Sequence, residues 1–429
     1  MTAHLSSPPR PSSRAETVQR VKAVCGVEAW LVESYAVPLV ALEFAAGGGA
    51  SQDPQGREGL SSLFAGLLDE GAGPYDSRAF HRKVEDLAIH LGFGADRDQI
   101  SGHFQSLTRT LDEGFELFRL ALGEPRFEAE AVARVRGQLA ASIKREAKDP
   151  DAMVAKAFRE AAFPGHPYGR PLRGDLDTLE RLERADLETL RAKLFARDNL
   201  KIAVVGAIDA ATLAQKLDAV FGAWPQASQL APTPQVAVAN IGERRVIELD
   251  VPQSTFRFGR GGIAKADPDY FAAVVVNHVL GGGTFTSRLF NEVREKRGLA
   301  YSVYSHLQDY RHSAALFGGA ATKNERAGET LGVIEEECRR LAAEGPSAEE
   351  LDKAKKFLVG SYDLRFDTST KIASQLVRLQ LDGEDPGYLD TRNDKIERVT
   401  LDHARAVAKR LLGDGSLLVA VVGKPQGLS

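Results

Sequence analysis

Leu200-Lys201-Ile202-Ala203-Val204-Val205-Gly206 and Leu417-Leu418-Val419-Ala420-Val421-Val422-Gly423 are two versions of one apolar strand that ends in glycine, about half the chain apart. Each follows the same prelude. Leu179, Leu182, Leu187, Leu190 and Leu194 precede the first as an apolar helical stripe, and Ile396, Val399, Leu401, Ala404, Val407 and Leu411 precede the second. Further upstream, Ala129-Glu130-Ala131-Val132 and Ala348-Glu349-Glu350-Leu351 each open a long amphipathic helix. A repeat this long is no solenoid, whose units run to about 20–50 residues. It predicts two homologous domains, over 17–222 and 241–429, joined by a Pro-, Ala- and Gln-rich linker at 223–240. Each half opens on two strands: Ala29–Val32 and Leu39–Phe44 in the first, Arg245–Leu249 and Thr255–Gly259 in the second. A helix, further strands, a run of helices and the final strand follow. That order predicts an α+β fold, each domain a mainly antiparallel sheet with helices packed on one face.

The 429 residues are 43% hydrophobic and 27% charged, an ordinary globular composition that excludes a disordered or fibrous chain. A net charge of −4 gives no electrostatic case for nucleic acid. The longest apolar runs, such as Phe271–Val276, are too short for a membrane span. Residues 1–16, rich in Pro and Ser, read as a flexible leader without the apolar stretch of an export signal. A cytoplasmic protein is expected, or a periplasmic one if a signal has been removed. Cys25 and Cys338 could form at most one disulfide and offer no zinc-binding pair.

No two of the nine histidines are four residues apart, so neither HExxH nor HxxEH occurs, and GxSxG is also missing. Gly281-Gly282-Gly283-Thr284 lacks the Gly-Lys-Ser/Thr ending of a phosphate loop and reads as a flexible turn, with Thr284 or Thr286 as the N-cap of the next helix. That helix should run from about Thr286 to Arg297 with Leu289, Phe290 and Val293 on one face, and Gly298 should stop it. A strand alternating from Leu299 through Tyr304 follows, so Arg294 and Tyr301 flank one tight helix-to-strand corner. On this pattern alone the two residues could be no more than a helix-end cation and a strand aromatic.

The segment Ser287-Arg288-Leu289-Phe290, continued by Arg294-Glu295-Lys296-Arg297-Gly298-Leu299-Ala300-Tyr301-Ser302-Val303, resembles the arginine–tyrosine signature of the pitrilysin (insulinase-like) zinc peptidases, which include the mitochondrial processing peptidase and two-subunit bacterial homologues. His166-Pro167-Tyr168-Gly169-Arg170-Pro171 resembles the family's HPxGRP stretch, and the duplicated α+β halves fit as well. The resemblance implies HxxEH on a helix after a Gly-Leu in the first domain, two histidines binding zinc and a glutamate activating water. Here Gly59-Leu60 is followed by Ser62, Ala65 and Gly66 in those positions, and Ala141 and Ser142 stand where a distal glutamate ligand belongs. None of these can bind zinc. Gly66 is expected to be costly inside the helix, as in a relic under no ligand constraint.

The resemblance therefore implies a non-catalytic, substrate-binding subunit of a heteromeric zinc metalloendopeptidase. No cofactor is expected in this chain, and zinc is expected in an HxxEH-bearing partner subunit of the same family. Tyr301 and Arg294 would act in trans on that partner's site, while Gly281, Gly282, Gly283 and Thr284 would line the chamber holding an extended peptide. A core-type scaffold homologue and a stand-alone peptide-binding protein are the other readings.

Overall fold

The computed structural model describes residues 13–428. The first domain builds one sheet from β1 (Gln19–Lys22), β2 (Glu28–Glu33), β3 (Leu39–Gly47), β4 (His90–Ala95), β5 (Gln99–Leu107) and β6 (Leu200–Gly206). Its helices are α1 (Leu60–Ala65), α2 (Ser77–Asp86), α3 (Leu111–Gly123), α4 (Ala129–Glu146), α5 (Pro150–Ala162), α6 (Leu176–Glu180), α7 (Arg184–Leu194) and α8 (Ala210–Phe221). The second domain repeats the plan with β7 (Arg244–Glu248), β8 (Gln253–Gly261), β9 (Ala300–Tyr310), β10 (Ser313–Lys323) and β11 (Leu418–Gly423). Its helices are α9 (Tyr270–Asn277), α10 (Ala327–Glu344), α11 (Ala348–Gly360), α12 (Ser369–Leu381), α13 (Tyr388–Glu397) and α14 (Leu401–Leu412).

The strand orders are β1-β2-β6-β3-β5-β4 and β7-β11-β8-β10-β9. Each sheet has one parallel pair, β2 with β6 and β7 with β11, and is otherwise antiparallel. The two strands expected to open each half, β2 and β3 in the first and β7 and β8 in the second, are thus not neighbours, because the final strand inserts between them, and β1 adds an edge strand beside β2. That strand is apolar at nearly every position because both of its faces are covered.

Leu200, Ile202 and Val204 of β6 face the first domain's own helices, while Ala203 and Val205 face Ala373, Leu376, Val377 and Leu379 of α12 from the second domain. Reciprocally, Val419 and Val421 of β11 face their own domain, while Leu418, Ala420 and Val422 pack on Val154, Phe158, Ala161 and Ala162 of α5 from the first. Helices of its own domain lie on one face of each sheet, as expected, and one exchanged helix lies on the other. The sequence 223–240 carries no helix or strand. It is tied down along its length by Arg197 N to Pro225 O, Gln229 N to Lys193 O and Val236 N to His312 O, each at 2.9 Å.

Of the expected leader, 1–12 lie outside the described residues, and the remainder is not free. Ser13 Oγ donates to Asp390 at 2.5 Å, and Arg14 pairs with Asp363 at 3.0 Å and lies over the Phe366 ring. Both cysteines are free thiols, Cys338 buried and Cys25 half-buried.

The stretch from His166 to Arg170 is a clasp between the domains. Tyr168 is fully buried. Its hydroxyl lies 2.7 and 2.8 Å from the two Asp98 oxygens and accepts the His312 backbone N–H at 3.0 Å. His166 Nδ1 accepts Tyr168 N–H at 3.1 Å, so its Nε2 carries the proton donated to Pro234 O at 3.0 Å. The β4–β5 turn is thereby held to the β9–β10 hairpin. Beside the clasp, a cavity of about 1250 Å³ opens between the domains. Glu43 lines it from β3, across the strands from His103 and Ala203, and burial pushes its carboxyl up to about 7.

Two stability predictions follow from these contacts. Tyr168→Phe removes the hydroxyl shared by Asp98 and His312 and should cost about 1–3 kcal/mol in denaturant unfolding; an unchanged midpoint would show that the clasp is not used. For Glu43 the folded chain binds the proton more tightly than the unfolded chain, so stability falls as pH rises from about 4.5 to about 7 and is level on either side. Glu43→Gln should remove that fall. It should be more stable than the parent at pH 8 by about 1–2 kcal/mol, a value reduced because water reaches the cavity, and should show no such gain at pH 4.

Candidate functional site

The helix where zinc ligands would stand is short and fixed by other means. α1 starts after Gly59, whose φ of +94° places it in the left-handed region. The buried Asp53 carboxylate receives Gly59 N and Ser61 N at 3.0 Å and Ser61 Oγ at 2.5 Å, capping the helix. Burial pushes the Asp53 carboxyl up to about 7, against the lowering pull of those donors. Leu63 and Phe64 are fully buried and anchor the helix in the core. Ser62 Oγ donates to Leu172 O at 2.9 Å, and Ala65 is buried.

Gly66 is not inside a helix, as the spacing suggested, but caps the end of α1 at φ −71°, ψ −2°. The helix stops there, so the expected interior cost does not arise. A Cβ at Gly66 would lie 3.1 Å from Val135 Cγ1 of α4, so that side chain occupies the room a larger residue would need. Ala141 is exposed, and Ser142 Oγ receives Arg145 at 3.2 Å. Zinc does not fit these residues, and among the described residues no group of three or more His, Cys, Asp or Glu could hold a metal ion.

The second domain treats the corresponding corner differently. α9 runs on into a wider π-helical turn over His278–Gly282, closed by Gly283 N–H to His278 O at 2.8 Å. The glycines let backbone pack tightly here rather than flex. A Cβ at Gly281 would sit 2.6 Å from Ser305 N, one at Gly282 2.7 Å from Asn277 Nδ2, and one at Gly283 2.8 Å from His278 O. Thr284 adopts the left-handed region at φ +44°.

The next helix is capped neither by Thr284 nor by Thr286, whose Oγ1 donates to Gly283 O at 3.0 Å. Ser287 takes that role: its carbonyl accepts Asn291 N–H at 3.1 Å and its Oγ receives Phe290 N–H at 3.4 Å. A second π-helical turn spans Phe290–Glu295, with Lys296 N–H reaching Asn291 O at 2.9 Å. Such turns are rare and recur where a side chain must be re-aimed. Buried Glu292 fixes the corner, accepting Lys296 Nζ at 2.6 Å and Arg297 Nη1 at 2.5 Å; the Lys296 bond, followed by Arg297, holds its carboxyl below the usual range. Gly298, at φ +56°, ends the helix as expected.

Arg294 and Tyr301 come together across this corner. The guanidinium lies 4.6 Å from the Tyr301 ring centre and 4.8 Å from that of Phe290, sandwiched between two aromatic faces. Strict alternation from Leu299 would bury Tyr301 with Val303. Instead Val303 pairs with Ala320 and Ala300 with Thr322, so β9 carries one residue more than β10 between these points. This bulge turns Tyr301 outward, to 82% exposure. Its hydroxyl has no hydrogen-bond partner among the described residues. The bulge was not visible in the sequence; only the register of the paired strand reveals it.

The geometry of the second domain's corner is that of a displayed phenol held by a stacked cation, and the first domain's α1 offers no imidazole or carboxylate at Ser62, Ala65 or Gly66. Residues 33–176 match the family model described as Insulinase (Peptidase family M16), and 181–358 match that of the Peptidase M16 inactive domain. The chain belongs to peptidase family M16. It is 26% identical to the non-peptidase homolog YmxG of Helicobacter pylori, over 78% of each chain. It is 31% identical to the uncharacterized zinc protease SCO5738 of Streptomyces coelicolor, over 67% of this chain and 63% of that one. Its fold matches the crystal structure of a peptidase M16 inactive domain from Pseudomonas fluorescens at a TM-score of 0.89 and 27% identity, covering 95% of this chain and 98% of that one. Similar to an inactive M16 domain and to a non-peptidase homolog, this M16 chain is a non-catalytic family member.

The isolated chain should therefore bind no stoichiometric zinc and cleave no peptide. Ser62→His, Ala65→Glu and Gly66→His combined should not restore activity, because Val135 crowds position 66 and the distal ligand and its supporting partners are still lacking. Metal analysis with peptide cleavage checks both; one tightly held zinc per parent chain, or substantial turnover by the triple variant, would refute the assignment.

Proposed function

We propose that this chain is the substrate-binding subunit of a heteromeric zinc metalloendopeptidase and supplies Tyr301 and Arg294 to a site whose zinc and general base belong to an HxxEH-bearing partner of the same family. The observation that carries the proposal is the exposed Tyr301, turned out by the β9 bulge and clasped by Arg294. A phenol with no other role in its own fold is free to donate to an oxygen on another molecule. Its hydroxyl would hydrogen-bond the scissile carbonyl oxygen as negative charge develops there, a contact stronger in the transition state than in the ground state. Arg294, restrained by two rings, would orient the peptide and hold Tyr301 in place. The glycine run Gly281–Gly283 supports this by letting the preceding turn pack directly on β9; with the exposed Thr284 it would line the chamber that holds the peptide.

Reconstitution with an HxxEH-bearing family member provides the test. Tyr301→Phe should lower turnover by about 10²–10³ with little change in peptide affinity, the range for loss of one oxyanion donor. Arg294→Ala should mainly weaken peptide binding. Tyr301→Phe should melt like the parent, since Tyr301 contributes almost no buried area. Unaltered turnover in the Tyr301→Phe complex would leave the chain a scaffold.

A further inference from the structure

The outer face of the second sheet, turned away from its own domain's helices and covered in part by α5, carries a second cluster that spans β8 and β9, the strand that displays Tyr301. Arg257 of β8 and Tyr304 of β9 both pair in register with Gly319 of β10, which lies between them. With no side chain at Gly319, the two flanking side chains lean over it. A Cβ built there would be 2.7 Å from Arg257 Nη1 and 3.0 Å from Tyr304 Oη. The guanidinium is 5.7 Å from the Tyr304 ring centre, and the His306 ring stacks on Tyr304 at 6.0 Å. Thus an N–H donor and an O–H donor converge over a backbone floor.

The cluster is charged but poorly matched. Arg257 is only 27% exposed, and its carboxylate neighbour is Asp151, at the start of α5 and 70% exposed. That pair is separated by 3.7 Å, beyond hydrogen-bond reach. No hydrogen bond to Tyr304 Oη is formed among the described residues. The His306 imidazole, exposed at its edge, is shifted below its ordinary value by local desolvation and then by the nearby Arg257, and its ring adds a flat polar wall. Partly desolvated arginine with a free fork and an adjacent phenol is the donor set that a planar carboxylate satisfies best.

We infer that Arg257 and Tyr304, over Gly319, form a pocket for a carboxylate of an extended peptide, from an acidic side chain or a C-terminus. This rests on the reading that the outer face of β9 is turned toward peptide. Tyr304 lies opposite Gly319, and the bulge brings Tyr301 level with the residue before Thr322, so the two are about two strand steps, or about 7 Å, apart. The acidic group would therefore lie about two residues from the carbonyl that meets Tyr301, which makes the pocket a specificity determinant rather than part of the reaction. Asp151 is a loosely held resident that the incoming carboxylate displaces.

The test is fluorescence anisotropy on the full chain alone, with labelled peptides that differ at one point: an amidated peptide with one glutamate, its glutamine isostere, and that isostere with a free C-terminus. At least one carboxylate-bearing peptide should bind about tenfold tighter than the amidated isostere at low salt, less so at high salt. Which of the two does so identifies the source of the carboxylate. Arg257→Gln should erase the difference and leave binding of the isostere and the melting temperature unchanged. Asp151→Asn should enlarge it, which keeps the test decisive if Arg257→Gln folds poorly. Equal affinity for all three peptides, no binding of any of them, or a preference that survives Arg257→Gln would overturn the inference. Because affinity is read without a partner or turnover, a carboxylate preference in a chain that never supports cleavage would sink the subunit reading and leave the pocket standing. Cleavage without any preference would do the reverse.

Discussion

Everything in this molecule hangs on the exchange of one helix between two sheets. A sheet with a single covered face would leave the alternate residues of β6 and β11 in water, and those residues are Ala203, Val205, Leu418, Ala420 and Val422. Neither domain covers that face with its own chain; α5 crosses to one sheet and α12 to the other. The burial that completes each domain is therefore also the interface between domains, and the two cannot separate without exposing both central strands. Phe158 against Phe317, with ring centres 5.0 Å apart and nearly perpendicular, shows how closely the crossing helix meets the other sheet.

That rigidity is what lets a single corner be aimed. Arg294 lies in a π-helical turn and Tyr301 on a bulge, two irregularities that would be soft in a free segment. Here they are bounded by buried Leu289 and Val293 on the helix side and by β10 on the strand side. The Glu292 bridges to Lys296 and Arg297 secure the turn between them. The outcome is an aromatic side chain held outward by its backbone and steadied by a cation, with no buried contact of its own. Such a residue adds little to stability, and its placement is better explained by what it offers to another molecule.

Much of this was legible in the sequence, for reasons that can be traced to particular residues. The doubled apolar strand and its helical preludes announced two like domains because periodicity survives translation into structure. That Ser62, Ala65 and Gly66 offer neither imidazole nor carboxylate is read from residue type alone and needs no geometry. The proximity of Arg294 and Tyr301 followed from Gly298 between them. The rest depended on long-range pairing. That β6 would separate β2 from β3 and that Tyr301 would escape its alternating position are decided by partner strands distant in sequence. Gly66 was misplaced because a local pattern gives no sign of where α1 stops.

The two domains also show how one plan can be kept while its chemistry is divided. In the first, the helix that follows the opening strands is held by the Asp53 cap, by Leu63 and Phe64 in the core and by Val135 against Gly66. It needs no metal to stay folded, and the space beside it is filled by Ser62 bonding to a backbone carbonyl. In the second, the equivalent stretch ends in glycines that bring the following turn onto β9, and the exposed polar groups lie beyond it. The first domain spends its corner on packing and the second on display. Tyr304, with Arg257 from β8, extends the displayed surface along β9, over a glycine in β10 whose missing side chain leaves the room in which the two donors converge.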